Sequence, residues 1–241
     1  MNLLVLMYHR ARPGAHGNPG DMLDAHFAHI ARHYRNVLPG DYLADHQLNV
    51  CLTFDDAYFD FHAVVLPLLR KHGLRAVLSV PPGFIHEQVE LDRAARLGAD
   101  TLNAGAWPAP GGLCTWPELG ELARSGHVRI AAHGYTHRAL DLPTDEEMEI
   151  EAPQTVLSSR LGQPVDSFVF PYGRFTGDVL EHAKRHYRYI FRIGGALNYD
   201  WSDRMLYRVT ADGMTDPAAL FTPGRLLQYR IRALWNRLRG R

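Results

Sequence analysis

A short apolar run, Val50-Cys51-Leu52-Thr53-Phe54, ends on two adjacent carboxylates, Asp55 and Asp56. No other stretch constrains the fold as much. A run of this length bounded by charge reads as a buried strand. In α/β proteins, sites are assembled at the C-terminal ends of such strands. Neighbouring side chains on a strand point to opposite faces, so Asp55 and Asp56 share a job only if the strand has ended before them. Two carboxylates this close also resist joint ionisation unless a cation or a base stands beside them. The alternative is a plain turn or helix cap, where Asp is common.

Similar runs recur along the chain. Strands are expected at 2–8, 49–54, 75–80, 128–132, 167–170, 188–192 and 205–209. Helical spacing falls between them, over 21–35, 59–71, 87–96, 144–161 and 176–186. Another helix opens at Thr115-Trp116-Pro117-Glu118, with a Thr N-cap, an early Pro and a Glu at capping-box distance. Alternating strands and helices imply an α/β fold with a mostly parallel sheet or barrel. With 241 residues, 46% of them hydrophobic, the chain can fill one such core, and no repeat or linker divides it.

Other classes are disfavoured. Lys plus Arg and Asp plus Glu number 26 each, so no overall field draws nucleic acid. Cys51 sits in the apolar run and reads as core; with Cys114 it makes no disulfide framework. The opening Met1 to His9 lacks a basic flank and a cleavage site, and no apolar window reaches about 18 residues. The expectation is a cytoplasmic protein without a leader.

His133 and His137 stand four apart, close enough to face one ligand if the segment is helical. Two imidazoles and a carboxylate can hold a catalytic metal with positions left open. Spacing alone discriminates little among 14 His, since His29/His33 and His182/His186 share it. Those two pairs fall inside expected surface helices and read as solvated faces. His133/His137 follows a buried strand, as Asp55-Asp56 does.

Thr53-Phe54-Asp55-Asp56, His133-Gly134-Tyr135-Thr136-His137 and Phe170-Pro171-Tyr172-Gly173 resemble, in order, the first three motifs of the polysaccharide deacetylases, carbohydrate esterase family 4 or NodB-homology domains. Leu6-Met7-Tyr8-His9 is similar to the start of the branch that includes poly-N-acetylglucosamine deacetylases. The resemblance implies a single-domain, distorted, partly open (β/α) barrel over residues 1–222. It implies a divalent metal, usually Zn2+, held by Asp56, His133 and His137, with Asp55 as general base toward the attacking water. By the same resemblance the Tyr172 backbone N–H assists the oxyanion, and His9 is the acid that protonates the leaving amine.

The chain departs from the family pattern in three places. Val169 stands where an Arg usually orients the base; Arg192 or Arg208, both at expected strand ends, are the candidates to replace it. Ala57 stands where Gly is common, at a cost of about 1 kcal/mol if φ is positive there. Asp200-Trp201 is similar to a further family motif but is loosely spaced, and Trp201 reads equally as a sugar-stacking or a core aromatic.

Residues 223–241 form a separate basic segment. Leu227, Ile231, Leu234, Trp235 and Leu238 share one face of a helix. Six arginines, at 225, 230, 232, 237, 239 and 241, fall among and beyond them, with no acidic residue after Asp216. Docking on the barrel and lying on an anionic membrane surface, at the inner face of the membrane, are both open.

The expected activity is hydrolysis of the N-acetyl group of an N-acetylated amino sugar, in a polysaccharide or a lipid-linked saccharide. An O-acetyl or other amide deacylase on the same scaffold, and a catalytically silent sugar-binding barrel, are the alternatives.

Overall fold

The computed structural model describes residues 2–14, 16–99, 111–202 and 205–238. Eight strands alternate with helices: β1 (Leu3–Tyr8), α1 (Gly20–His33), β2 (Arg35–Asn36), β3 (Asn49–Phe54), α2 (Leu66–His72), β4 (Ala76–Val80), α3 (Arg93–Gly98), α4 (Trp116–Arg124), β5 (Val128–Ala132), α5 (Ala152–Leu161), β6 (Ser167–Val169), α6 (Gly177–His186), β7 (Tyr189–Ile193), β8 (Leu206–Thr210) and α7 (Pro223–Leu238). All strand pairings within the sheet are parallel, in the order β1-β8-β7-β6-β5-β4-β3-β2, and β1 also pairs with β3. Seven strands therefore close a ring, with β2 as an appendage on β3. The barrel is distorted as expected, and its loosest seam is β5–β6, joined through the single pair Ala132↔Phe168.

Every residue of β1 and β3 is buried, because helices cover the outside of the ring while side chains fill the inside. Alternation sorts the two layers. Leu4, Leu6, Val50, Leu52 and Phe54 pack outward with Leu23, Phe27 and Phe61. Leu3, Val5, Cys51, Val77, Ala131, Val169, Phe191 and Leu206 form a second, interior cluster. One step further along the strands, the same inward register carries Thr53, Asp55, Ser79, His133 and Arg208, all buried. The barrel is apolar at its floor and polar at the C-terminal ends of its strands.

The local stop signals act as expected. Thr115 and Glu118 form the capping box that opens α4. Gly73, at φ 64, ends α2 with Leu74 N–H donating to Leu69 O, the bond of a Schellman turn. Two expected helices begin differently: Phe61–Val65 and Glu147–Glu151 are π-helical turns that run into α2 and α5. The helix expected over 87–96 is displaced to Arg93–Gly98, and the Gly/Pro/Ala-rich stretch beyond it lies largely outside the described residues.

Trp201 is half-buried. Its Nε1–H donates to Asp41 O at 2.9 Å, and it packs against the interior cluster. Helix α7 sets Tyr229 and Ala233 against the barrel, while Leu227, Ile231, Leu234, Trp235 and Leu238 are exposed. The face noted in the sequence is thus not the one that docks. No described helix is long and apolar enough to cross a membrane.

Candidate active site

Asp55 continues the β3 ladder by one bond, its N–H donating to Tyr8 O at 2.9 Å, and its side chain points inward. The strand then breaks. Asp56 (φ 74) and Ala57 (φ 55) are both left-handed, which turns Asp56 back toward the same mouth instead of to the opposite face. Four non-glycine residues have positive φ among the described residues: Asp56, Ala57, His137 and Tyr172. All four belong to the motif segments. Such conformations cost of order 1–3 kcal/mol each, and they persist where surrounding structure holds a functional geometry in place.

The His133–His137 segment is not helical, contrary to the condition attached to its spacing. His133 N–H donates to Val80 O, extending β5, and the chain then reverses through Gly134 (φ 68). His137 at φ 53 closes the loop, so the two rings lie 4.7 Å apart. Glu149, 3% exposed, braces this loop from behind. It accepts the N–H of Tyr135 at 2.8 Å and of Thr136 at 3.1 Å, and the Thr136 hydroxyl as well. The sequence reading missed Glu149. It sits in the expected acidic helix start, and nothing local marks it as pointing inward.

Asp56 Oδ1 lies 3.4 Å from His133 Nε2 and 3.1 Å from His137 Nε2. That oxygen is buried and has no hydrogen-bond partner. His133 Nδ1–H donates to the Val169 carbonyl at 2.8 Å, which leaves the Nε2 lone pair aimed at Asp56. Donor atoms around a tetrahedral divalent ion stand about 3.3 Å apart. The three donors and their orienting bond fit such an ion. Burial alone would push Asp56 up; the adjoining His133 and His137 imidazoles hold it well below the usual carboxylate range.

Asp55 takes no part in that cluster. Arg208, 1% exposed, grips both of its oxygens, Nη1 to Oδ1 at 2.7 Å and Nη2 to Oδ2 at 2.9 Å. Ser79 Oγ–H donates to Oδ1 at 2.9 Å. Burial pushes Asp55 up, but Arg208, His133 and His9 outweigh it and hold the carboxyl at about 2. Of the two candidates for the missing Arg, Arg208 supplies the charge. Arg192 instead stacks on Phe175 and Tyr207, outside the barrel mouth. The position of the usual Arg is filled by Val169, which packs in the apolar floor.

His9 stands across from Asp55, its Nε2 3.9 Å from Oδ2. Asp212 fixes the ring: its carboxylate accepts Nδ1–H at 2.5 Å and the His9 backbone N–H at 3.1 Å. Burial lowers the imidazole, and the Asp212 hydrogen bond with the Asp55, Asp56 and Asp212 charges reverses this and raises it to about 9. Asp212 was also missed, although it stands two residues beyond the end of β8, at the same mouth as Asp55. Tyr172 (φ 58) turns its segment at the other rim, 59% exposed, with its ring 4.7 Å from His137. His9, Asp55, Asp56, His133, His137 and Tyr172 together line one cavity of about 720 Å³, which Met7, Phe170 and Ile193 make apolar along its walls.

Comparison with known proteins bears on the fold and the family. Residues 44–190 match the model of the family described as polysaccharide deacetylase. No curated protein matches the chain in sequence. Among solved structures, the fold is similar to the Streptococcus pyogenes deacetylase PplD in complex with acetate, at 20% identity, covering 95% of this chain and 98% of that one, with a TM-score of 0.71. It is similar to IcaB from Ammonifex degensii at 21% identity, covering 96% of each chain, with a TM-score of 0.69. It is likewise similar to a de-N-acetylase from Aggregatibacter actinomycetemcomitans at 17% identity, covering 94% and 98%, with a TM-score of 0.70. With the matched segment running from before Asp55 to past Tyr172, this chain belongs to the polysaccharide deacetylase family.

Proposed function

We propose that this chain is a metal-dependent hydrolase that removes the N-acetyl group from an N-acetylated amino sugar in a polysaccharide or a lipid-linked saccharide. One observation carries the reading: a carboxylate gripped by Arg208 faces an imidazole hydrogen-bonded to Asp212, beside a separate three-donor cluster. A divalent ion on Asp56, His133 and His137, Zn2+ by its donor set, would supply the Lewis acidity that polarises the acetyl carbonyl and acidifies water.

The chain's own groups do the rest. Asp55, locked in one orientation by Arg208 and Ser79, accepts the proton of the attacking water. The Tyr172 backbone N–H donates to the developing oxyanion. His9 gives its proton to the leaving nitrogen. An amine leaves far more readily once protonated, so an imidazole raised to about 9 favours an amide over an ester substrate. The apolar walls around the mouth suit an acetyl methyl group.

Helix α7 adds a location to this reading. It holds to the barrel by one face and presents an apolar stripe with exposed arginines, which supports docking on an anionic membrane surface. The deciding experiment for the activity is acetate release from a panel of N-acetylhexosamine oligomers. Release that stops with chelator and returns with Zn2+ is expected; none from any oligomer, with metal bound, would overturn the N-deacetylase reading and leave an O-acetyl or other amide deacylase or a silent sugar-binding barrel.

A further inference from the structure

We propose that the chain carries a second divalent-metal site, formed by Glu151, His182 and His186, which clamps the turn that braces the catalytic loop. In the sequence, His182 and His186 read as a solvated helix face. The structure corrects this. They project from α6 onto the π-helical turn Glu147–Glu151, where one oxygen, Glu151 Oε1, meets both rings. It lies 2.9 Å from His182 Nε2 and 3.5 Å from His186 Nε2. The rings stack at 5.1 Å, and the three donor atoms all lie within 4.8 Å of one another.

These spacings bracket the roughly 3.3 Å expected between donors on a tetrahedral ion. They also parallel the 3.4 and 3.1 Å separations at Asp56. The orienting bond is repeated too. Glu146 Oε2 lies 2.7 Å from His182 Nδ1, as the Val169 carbonyl lies 2.8 Å from His133 Nδ1. A ring placed between two carboxylates must either carry a proton on each nitrogen or give one lone pair to a cation. The pairs His29/His33 and His182/His186 diverge at this point. His29 and His33 also touch, at 4.7 Å, but no cluster of donor atoms forms around them among the described residues. The side chains of His182, His186 and Glu151 are 15, 28 and 40% exposed, so an ion can enter and solvent can complete its shell.

The location gives the site a consequence. The π-helical turn carries two glutamates with opposite tasks. Glu149 points inward and holds the Tyr135 and Thr136 backbone, between the two catalytic imidazoles. Glu151 points outward to α6. An ion joining Glu151 to α6 ties the turn to a packed helix, and Glu149 passes that restraint to the His133–His137 loop. π-helical turns are rare and concentrate at functional sites.

The test is a metal count on the full chain, stripped with chelator and dialysed against Zn2+ alone. Two equivalents are expected for the wild type and one for His186→Gln. The His133→Gln/His137→Gln variant, folded by circular dichroism, should keep one equivalent and lose it on adding His186→Gln. A folded His133→Gln/His137→Gln variant that binds none overturns the proposal. A wild type that binds one ion, removed by His186→Gln, upholds this site and instead sinks the catalytic metal. Amide exchange at Tyr135 and Thr136 should be several-fold faster in Zn2+-saturated His186→Gln than in the wild type; equal rates overturn the clamping role.

Discussion

Arg208 and Asp55, 153 residues apart in the chain, form a two-pronged ion pair inside the barrel mouth, at 2.7 and 2.9 Å. In the proposed mechanism this pair, made from a different strand, takes the orienting role expected of an Arg at the position of Val169. Removing one member leaves the other charged and buried. Arg208→Met should therefore cost about 3–5 kcal/mol of stability, read by urea unfolding. Turnover should fall at least a hundredfold, and the acid limb of its pH profile should move up as Asp55 loses its partner. Arg208→Lys should recover only part, because a point charge cannot hold both oxygens. Arg192→Met should leave turnover near wild type; a matching loss there would undo the assignment.

Asp212 sets the proton inventory of His9. Activity in this scheme needs Asp55 ionised and His9 protonated, so it is lost as pH rises through the His9 value of about 9. Asp212→Asn removes the charged hydrogen bond, and the basic limb should shift downward by a unit or more. A bound cation offsets the share of the shift owed to Asp55 and Asp56 and leaves the Asp212 bond in place. An unmoved basic limb in Asp212→Asn would assign the acid elsewhere.

Glu149 braces the loop from outside the cavity lining. Glu149→Gln keeps the shape but gives up the carboxylate that accepts two backbone N–H groups and a hydroxyl. Partners of metal-ligand segments typically contribute 10–100-fold in affinity. Competition with a zinc chelator should show a loss of that order at the catalytic site, and unchanged affinity would reduce Glu149 to packing.

His26 should make the fold acid-sensitive. The imidazole is buried between Tyr8 and Pro217: Nδ1–H donates to Pro217 O at 2.6 Å, and Nε2 accepts the Tyr8 hydroxyl at 2.7 Å. Burial holds its pKa at about 4. The value is depressed on folding, so its contribution is intact above the unfolded value of about 6.5 and drains away as pH falls toward 4. The full loss is roughly 3 kcal/mol. Between pH 7 and 4, His26→Gln should lose less stability than the wild type by about that amount; parallel curves would exclude His26 as the titrating group.

Helix α7 can be tested without uncovering the barrel, because docking and exposure use different faces. Leu234→Asp with Trp235→Asp alters only exposed positions. This double variant should lose co-sedimentation with anionic vesicles while keeping activity on a soluble oligomer. Equal binding to anionic vesicles would remove the lipid role, and a change from dimer to monomer in solution would assign the stripe to a second copy.

Much of this was legible in the chain itself. Strand ends carrying Asp55-Asp56, His133 and Pro171-Tyr172 are local signals, since a buried run, its breaker and the residue after it lie together in the sequence. The capping box at Thr115–Glu118 is local in the same sense. The π-helical turns were not legible, because one extra residue per turn leaves the apolar pattern almost unchanged over five residues. Nor could the sequence choose between Arg192 and Arg208, which both stand near strand ends.

By itself, then, the sequence determined the alternation of strands and helices and the order of the motifs, because backbone preference and side-chain chemistry are set within a few residues. Only the tertiary structure decided who faces whom. Arg208 reaches Asp55 across 153 residues and Asp212 reaches His9 across 203, because closing the ring brings the C-terminal ends of β1, β3 and β8 side by side. Such a meeting depends on the inward or outward register of every strand between, and that parity is fixed only when the whole barrel packs.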